Sequence, residues 1–370
     1  MEIHAVGVIG LGTMGAGIAE VFARGGCPVT AVEVDPQALA KGMATLGASL
    51  DRAVSDLARR LGKTPVQVTD RVGFVANALL LPYLNHAARL LETGYASRED
   101  IDLAMTRGAG LPMGPLALLD LIGLDTSLAI LEVLQREFGG TRCTPAPLLR
   151  RLTDAGRLGR KTGAGFYEYQ QPAAVTADSS DFDAANGAAA PGTVTLIDPA
   201  AGPTVSARGD DPPDPPVSGQ RAAETVGLHL VSDGLEDTGL AELVPSPLTS
   251  ARALSAAREL VAKLGRTAVL APDRPGLLVG GLLYPHLRDA AAMVADGYAT
   301  PADIDAAMTL GCGYPRGPIR LLVEIGLEQA VEVLDAMHAG YGDPAFAPPP
   351  MLRQYAQAGL ALAGPPGDHG

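Results

Sequence analysis

The sequence predicts a mixed fold, α/β plus all-α: a short β-α-β-α unit at the N-terminus followed by two copies of one helical module. Three observations predict it. Leu61 to Asp125 recurs as Leu264 to Glu328 without a gap, at a constant offset of 203 residues, and the copies agree at roughly half of their positions, a period that fits a duplicated domain-sized module and not a solenoid. The same offset carries PAPLLR (Pro145 to Arg150) onto PPPMLR (Pro348 to Arg353). Inside the module apolar residues return every three to four positions, and the chain opens on a strand, a glycine turn and a helix.

The opening reads as a strand over His4 to Ile9, a helix from about Gly15 to Arg24, a strand over Pro28 to Val34 and a helix from Pro36 to about Leu61. A short strand is expected at Thr64 to Val68. From Gly73 to about Gly159 the pattern is helical: Phe74, Leu80, Leu84, Ala88 and Leu91 mark one apolar face, with Pro82 a potential kink inside it. Shorter helices are expected at Arg98 to Thr106, Leu116 to Leu121, Thr126 to Phe138 and Ala146 to Ala155. Between Gln171 and Ala222 the composition turns to Ala, Pro, Asp, Gly and Ser, which reads as a disordered acidic linker with one strand-like patch, Thr193 to Ile197. Two β patterns follow, VGLHLVS from Val226 and LAELVPS from Leu240. A helix is expected over Ser250 to Leu264 and a strand over Thr267 to Leu270, before the second helical module begins.

The chain has 370 residues, 47% of them hydrophobic, enough for real cores in two or three domains. A formal net charge of −13 argues against nucleic acid or an anionic membrane as partner, since both select basic surfaces. MEIHAVGVIG is not a secretory signal and no apolar run approaches a membrane span, so the cytoplasm is the expected location. Cys27, Cys143 and Cys312 are too few and too far apart for a disulfide framework or a zinc site, and buried thiols are expected; no metal site is expected anywhere.

VGVIGLGTMGAGIAEVFARGG places Gly10, Gly12 and Gly15 after a strand and before a helix, the context that dinucleotide binding requires. Gly10 permits the tight turn, Gly12 lets the backbone approach a pyrophosphate, Gly15 lets the helix close on the strand, and the helix N-terminus attracts phosphate charge. Leu11, Thr13 and Met14 complete the candidate cofactor segment. Glu33, about 20 residues on, can accept from both ribose hydroxyls and would repel a 2′-phosphate, which favours NAD over NADP. The bland alternative is a glycine turn that only packs a Rossmann-type unit.

Strand, GLGTMGAGIAEVFARGG and EVD together resemble the start of the 3-hydroxyacyl-CoA dehydrogenase family, which includes 3-hydroxybutyryl-CoA dehydrogenases. GKTPVQVTDRVGFVANALLLPYLNHAARLLETGYASREDIDLAMTRGAGLPMGPLALLDLIGLD, followed by LGRKTGAGFYEY, is similar to that family's C-terminal helical domain, and the second module resembles the same domain again, as in tandem members. The resemblance implies NAD-dependent oxidation of a 3-hydroxyacyl-CoA to the 3-oxoacyl-CoA, or the reverse, in fatty-acid metabolism. It also implies a histidine base oriented by a glutamate.

The chain departs from the family pattern by lacking the strands that carry an NTSS-type serine, the histidine and the glutamate in its first half. The second half lacks a glycine turn, yet Val226-Gly-Leu-His229 and Leu240-Ala-Glu242 resemble the histidine and glutamate strands. His229 and Glu242 are therefore the candidate acid-base pair. The module asparagine is kept as Asn77 and replaced by Gly280 in the second copy. Against these roles, His229 reads equally as a strand histidine left from a decayed domain, Glu242 as a solvated strand-end carboxylate, and Asn77 as a hydrogen-bonded core residue. Lys161 is expected to be structural, and His86, His286 and His338 surface or core residues without ligand spacing.

The predicted organisation is a partial NAD-binding unit at 1–69, helical copies at 70–170 and 273–365, the linker at 171–222 and a β remnant of a second NAD-binding domain at 223–272. The helical copies are expected to pair as an internal pseudo-dimer, or to make a homodimer. A competing reading is an inactive relative that holds acyl-CoA or NAD, or serves as a dimerisation module, and a third is a shortened derivative of a two-half enzyme.

Overall fold

The computed structural model describes residues 4–169, 193–196, 223–232, 237–360 and 362, and the chain divides into two units, Met1–Gln67 and Val68–Gly370. In the first unit β1 (Val6–Ile9) and β2 (Val29–Val32) run parallel, in register from Val6↔Val29 to Ile9↔Val32, joined by α1 (Thr13–Arg24). Val8, Leu11 and Ala19 form its small core. Helix α2 (Pro36–Arg60) starts where the sequence is built to start one: Asp35 accepts from Ala38 N at 2.8 Å and Pro36 occupies the first turn, where a missing N–H is harmless.

The expected strand at Thr64 to Val68 does not form. Its counterpart 203 residues on does, as β6 (Thr267–Leu270), because a strand lies beside it. Thr64 to Val68 has no ladder partner among the described residues, and propensity alone does not hold an isolated strand.

The second unit carries the two helical segments and a four-stranded sheet. The first segment comprises α3 (Phe74–Glu92), α4 (Arg98–Leu103) running into a π-helical turn (Ala104–Gly108), α5 (Pro115–Ile122), α6 (Leu124–Phe138), a short unforeseen α7 (Gly140–Cys143) and α8 (Pro147–Asp154). Helix α3 runs through Pro82 as one element. Asp120, fully buried, accepts from Phe166 N and Tyr167 N at 2.9 Å and from the Tyr169 hydroxyl at 3.0 Å, fastening the GAGFYEY tail. A Cβ on Gly165 would stand 2.0 Å from that carboxylate, which accounts for the glycine.

The sheet order is β3 (Thr193–Leu196), β4 (Thr225–Ser232), β5 (Asp237–Pro245), β6, with β4 and β5 antiparallel and the outer pairings parallel. Thus the strand-like patch in the expected linker pairs with β4, while the rest of 171–222 lies outside the described residues. Alternation sorts the strands onto two faces. Val226, Leu228, Ala241 and Leu243 pack on α9 (Ala251–Lys263), which Ser250 caps; Val231, Leu240 and Val244 join the core of the helical segments.

The second segment repeats the first, with a 3₁₀ turn (Pro344–Phe346) where the first has α7: α10 (Val279–Ala295), α11 (Pro301–Ala306), a π-helical turn (Ala307–Gly311), α12 (Pro318–Ile325), α13 (Leu327–Tyr341) and α14 (Pro350–Ala358). Residues 203 apart do the same work. Asp102 accepts from Leu116 N and Ala117 N as Asp305 does from Ile319 N and Arg320 N, and the glycine before each capped helix, Gly114 or Gly317, sits where any Cβ would strike that aspartate. Helices α3 and α10 pack against each other, and Tyr83 meets its own counterpart, His286, with ring centroids 5.2 Å apart. Of the cysteines only Cys143 is buried; Cys27 and Cys312 are half-buried.

Candidate active site

His229 on β4 and Glu242 on β5 are direct cross-strand partners on the face turned toward the helical segments. Their side chains meet at 2.7 Å, Nδ1 to Oε2, with Glu242 fully buried and the His229 side chain 19% exposed. The other carboxylate oxygen accepts from Leu278 N and Val279 N, both at 2.8 Å, at the start of α10. A buried carboxylate is costly unless its lone pairs are matched. Here two amides of a helix N-terminus and one imidazole match them, and the helix dipole favours the negative charge.

That arrangement fixes the histidine. An ionised carboxylate only accepts, so Nδ1 carries the proton and Nε2 is the free basic nitrogen, bonded to no described residue. The pair can take a proton from a substrate hydroxyl at Nε2 and stabilise the resulting imidazolium through Glu242. The clamp at Leu278 and Val279 was not foreseen from the sequence. Its signal was Gly276 (φ +85°), which with Leu277 (φ +50°) turns the chain so that both amides point at the β5 carboxylate.

Asn77 is exposed in the first turn of α3 and its side chain bonds no described residue, so it is neither the core residue of the bland alternative nor joined to His229 or Glu242. Lys161 pairs with Asp125 at 2.5 Å, and both side chains are partly exposed. His286 is buried and His86 half-buried; desolvation, reinforced by the Arg142 charge, pushes His86 down to about 3, and burial pushes His286 down to about 4 against the upward pull of Asp289. Among the described residues no group of three or more His, Cys, Asp or Glu could hold a metal ion. His338 bonds the Asp343 carbonyl through Nδ1.

The glycine turn in the first unit fits a dinucleotide. Gly10 has φ +85°, and a Cβ on Gly15 would stand 1.7 Å from the Gly10 carbonyl oxygen, so only glycine lets α1 close on β1. Beside Gly12 a Cβ would meet nothing within 4 Å, the open approach that a pyrophosphate needs. The Glu33 carboxylate reaches back to accept from Leu11 N, which places it at the turn, and also accepts from Val34 N at 3.1 Å. Leu11 is buried against Gly42 of α2 and offers only its backbone to a ligand, whereas Met14 is 80% exposed. The Thr13 backbone begins α1, beside the turn.

Comparisons with known proteins bear on the family of the chain. The model of the 3-hydroxyacyl-CoA dehydrogenase C-terminal domain matches residues 73–169 and 276–363, half of the chain, and that of the family's NAD-binding domain matches 5–76. A 3-hydroxybutyryl-CoA dehydrogenase of Clostridioides difficile is 51% identical over 118 residues, 32% of this chain and 42% of that protein. The 3-hydroxyadipyl-CoA dehydrogenase of Escherichia coli (strain K12) is 29% identical over 324 residues, 85% of this chain and 65% of that protein. The chain thus spans less than two thirds of the length of these relatives. Among solved structures, 3-hydroxybutyryl-CoA dehydrogenase from Escherichia coli K12 shares the fold with a TM-score of 0.63 at 22% identity, covering 97% of this chain and 99% of that one. NAD is the cofactor these matches indicate. Among the described residues no helix is long and apolar enough to cross a membrane.

Proposed function

The chain belongs to the 3-hydroxyacyl-CoA dehydrogenase family, and we propose that it oxidises a 3-hydroxyacyl-CoA, such as 3-hydroxybutyryl-CoA, to the 3-oxoacyl-CoA with NAD, or runs the reverse reaction, in fatty-acid metabolism. One observation carries the reading: His229 held by a buried Glu242 that is itself held by the α10 amides. NAD, when bound, supplies the hydride acceptor. His229 Nε2 takes the proton of the 3-hydroxyl as the C3 hydride leaves, and Glu242 stabilises the imidazolium. Gly10, Gly12, Gly15 and the backbone of Leu11 to Met14 hold the pyrophosphate, and Glu33 the ribose. Asn77, exposed at the start of α3, is assigned to the substrate. The reading requires that the nicotinamide held by the turn reach His229 Nε2, within one chain or between chains.

On the same reading 70–170 and 273–365 are two copies of one domain, pairing through α3 and α10 as an internal pseudo-dimer. Residues 1–69 and 223–272 are what the chain keeps of two NAD-binding domains, and three free cysteines suit the cytoplasm. Acyl-CoA is the partner; nucleic acid and membranes are not. Mixing NADH with acetoacetyl-CoA and following absorbance tests the activity, with His229→Ala as control. Turnover no greater than that of the control sinks it, and NAD binding without turnover would favour the inactive, ligand-holding relative instead.

A further inference from the structure

The two helical segments enclose a cleft of about 710 Å³ that the proposed chemistry does not use. Its walls come from the second half of α3, from Thr141 and Arg142, from the turn at Pro272 to Gly281, and from Met337 to Phe346. The volume is that of a small-molecule site.

The two sides of the repeat differ at the cleft in their backbone hydrogen bonding. Thr69 N donates to the Tyr298 carbonyl at 3.0 Å and ties the start of the first segment to the second. The counterparts 203 residues away are Pro272 and Tyr95, and a proline has no N–H to donate. Both Pro272 and Tyr95 line the cleft.

The charge is one-sided as well. Arg89 and Arg142 on its wall correspond to Ala292 and Ala345, and His86 and Thr93 to Asp289 and Asp296. Arg89 donates through Nη2 to the Thr144 carbonyl and Arg142 pairs with Asp289 at 2.8 Å, but the Nε of each is buried without a hydrogen-bond partner. Arg274 is exposed at the rim and pairs with no carboxylate among the described residues. Asp343, the one carboxylate lining the cleft, is engaged by Thr141 Oγ1 and Ala345 N. Leu90, Met337 and Phe346 supply an apolar wall beside these groups.

We propose that this cleft is a second binding site, for a small organic anion whose carboxylate or phosphate head meets Arg89 and Arg274 and whose aliphatic body lies on Leu90, Met337 and Phe346. A guanidinium fork matches either oxyanion, and a ligand in the cleft gives the buried donors what the protein does not.

The test uses the full chain without NAD or acyl-CoA, titrated by calorimetry with hexanoate, hexyl phosphate and hexanol, which share a body and differ in the head. Saturable binding of either anion, weakened at least tenfold by Arg274→Gln and by Pro272→Ala, which restores the missing N–H, is the expected result, and the tighter anion names the head group. Arg274 is exposed, so its variant folds. Binding of neither anion, hexanol binding as tightly as the anions, or anion binding that Arg274→Gln leaves within twofold overturns the proposal. Dehydrogenase activity enters none of these outcomes.

Discussion

The start of α3 and the start of α10 are one piece of backbone used twice, with opposite fates. Gly73 and Phe74 have φ of +83° and +44°; Gly276 and Leu277 have +85° and +50°. Phe74 is 57% exposed, Leu277 2%. Beyond Leu277 two amides hold Glu242, whereas no side chain caps α3. The local sequence determines the turn in both copies, but only a neighbouring strand turns one of them into part of an acid-base site.

The strongest way to break the contrast is at Glu242. Glu242→Ala leaves His229 without its orienter and two buried amides without an acceptor. Turnover should fall by about 10²–10⁴-fold and stability by about 3–5 kcal/mol, read by steady-state rates and denaturant titration. The same substitution on a surface glutamate such as Glu137 should do neither; equal losses at both positions would refute the clamp.

At the other site the corresponding contact is steric. Gly15→Val would drive a side chain into the Gly10 carbonyl, 1.7 Å from where its Cβ must stand. NAD affinity should fall by about 100-fold or more, roughly 3 kcal/mol, with the second unit's thermal transition unchanged. Calorimetry with NAD decides it, and retained affinity would reduce the turn to a packing device.

Much of this was legible in advance, for identifiable reasons. The repeat, the glycine turn and the His229 and Glu242 strands are local patterns, whereas the register that sets the two residues opposite each other on one sheet face is not. Thr64 to Val68 failed because strand formation depends on a partner that no local pattern reports. The π-helical turns after Leu103 and Ala306 and the clamp by Leu278 and Val279 were hidden because each is set by tertiary contacts. Leu11 has two parts: the motif marks its backbone, while its side chain belongs to the core under α2.

The left-handed residues give a sharper test of the two helix starts. Both strain a side chain that glycine would relieve by about 1 kcal/mol. Leu277→Gly also empties a buried site, so it should destabilise by about 2–4 kcal/mol net, and Phe74→Gly should stabilise by up to about 1 kcal/mol. Opposite signs in paired denaturant titrations are expected. Equal signs would mean that Phe74 is covered in solution.

An effect that only acid reveals lies where Tyr83 and His286 meet. His286 is buried and neither ring nitrogen has a hydrogen-bond partner of normal geometry. Burial lowers its folded pKa to about 4, below the value of about 6.5 it has in the unfolded chain. The unfolded state therefore binds more protons between these values, so this contribution to stability is complete above about pH 6.5 and is lost as pH falls toward 4. At pH 5 the loss is on the order of 2 kcal/mol. His286→Phe keeps the ring contacts with Tyr83 and Tyr314 and removes the titration. It should match the parent within about 1 kcal/mol at pH 7.5 and exceed it at pH 5. His86, depressed in the same sense, leaves part of the acid sensitivity in the variant, so the slope should flatten and not vanish. Parallel stability curves for parent and variant between pH 7.5 and 5 would show that His286 reaches water or a partner, and that the contact between the two copies is not a dry one.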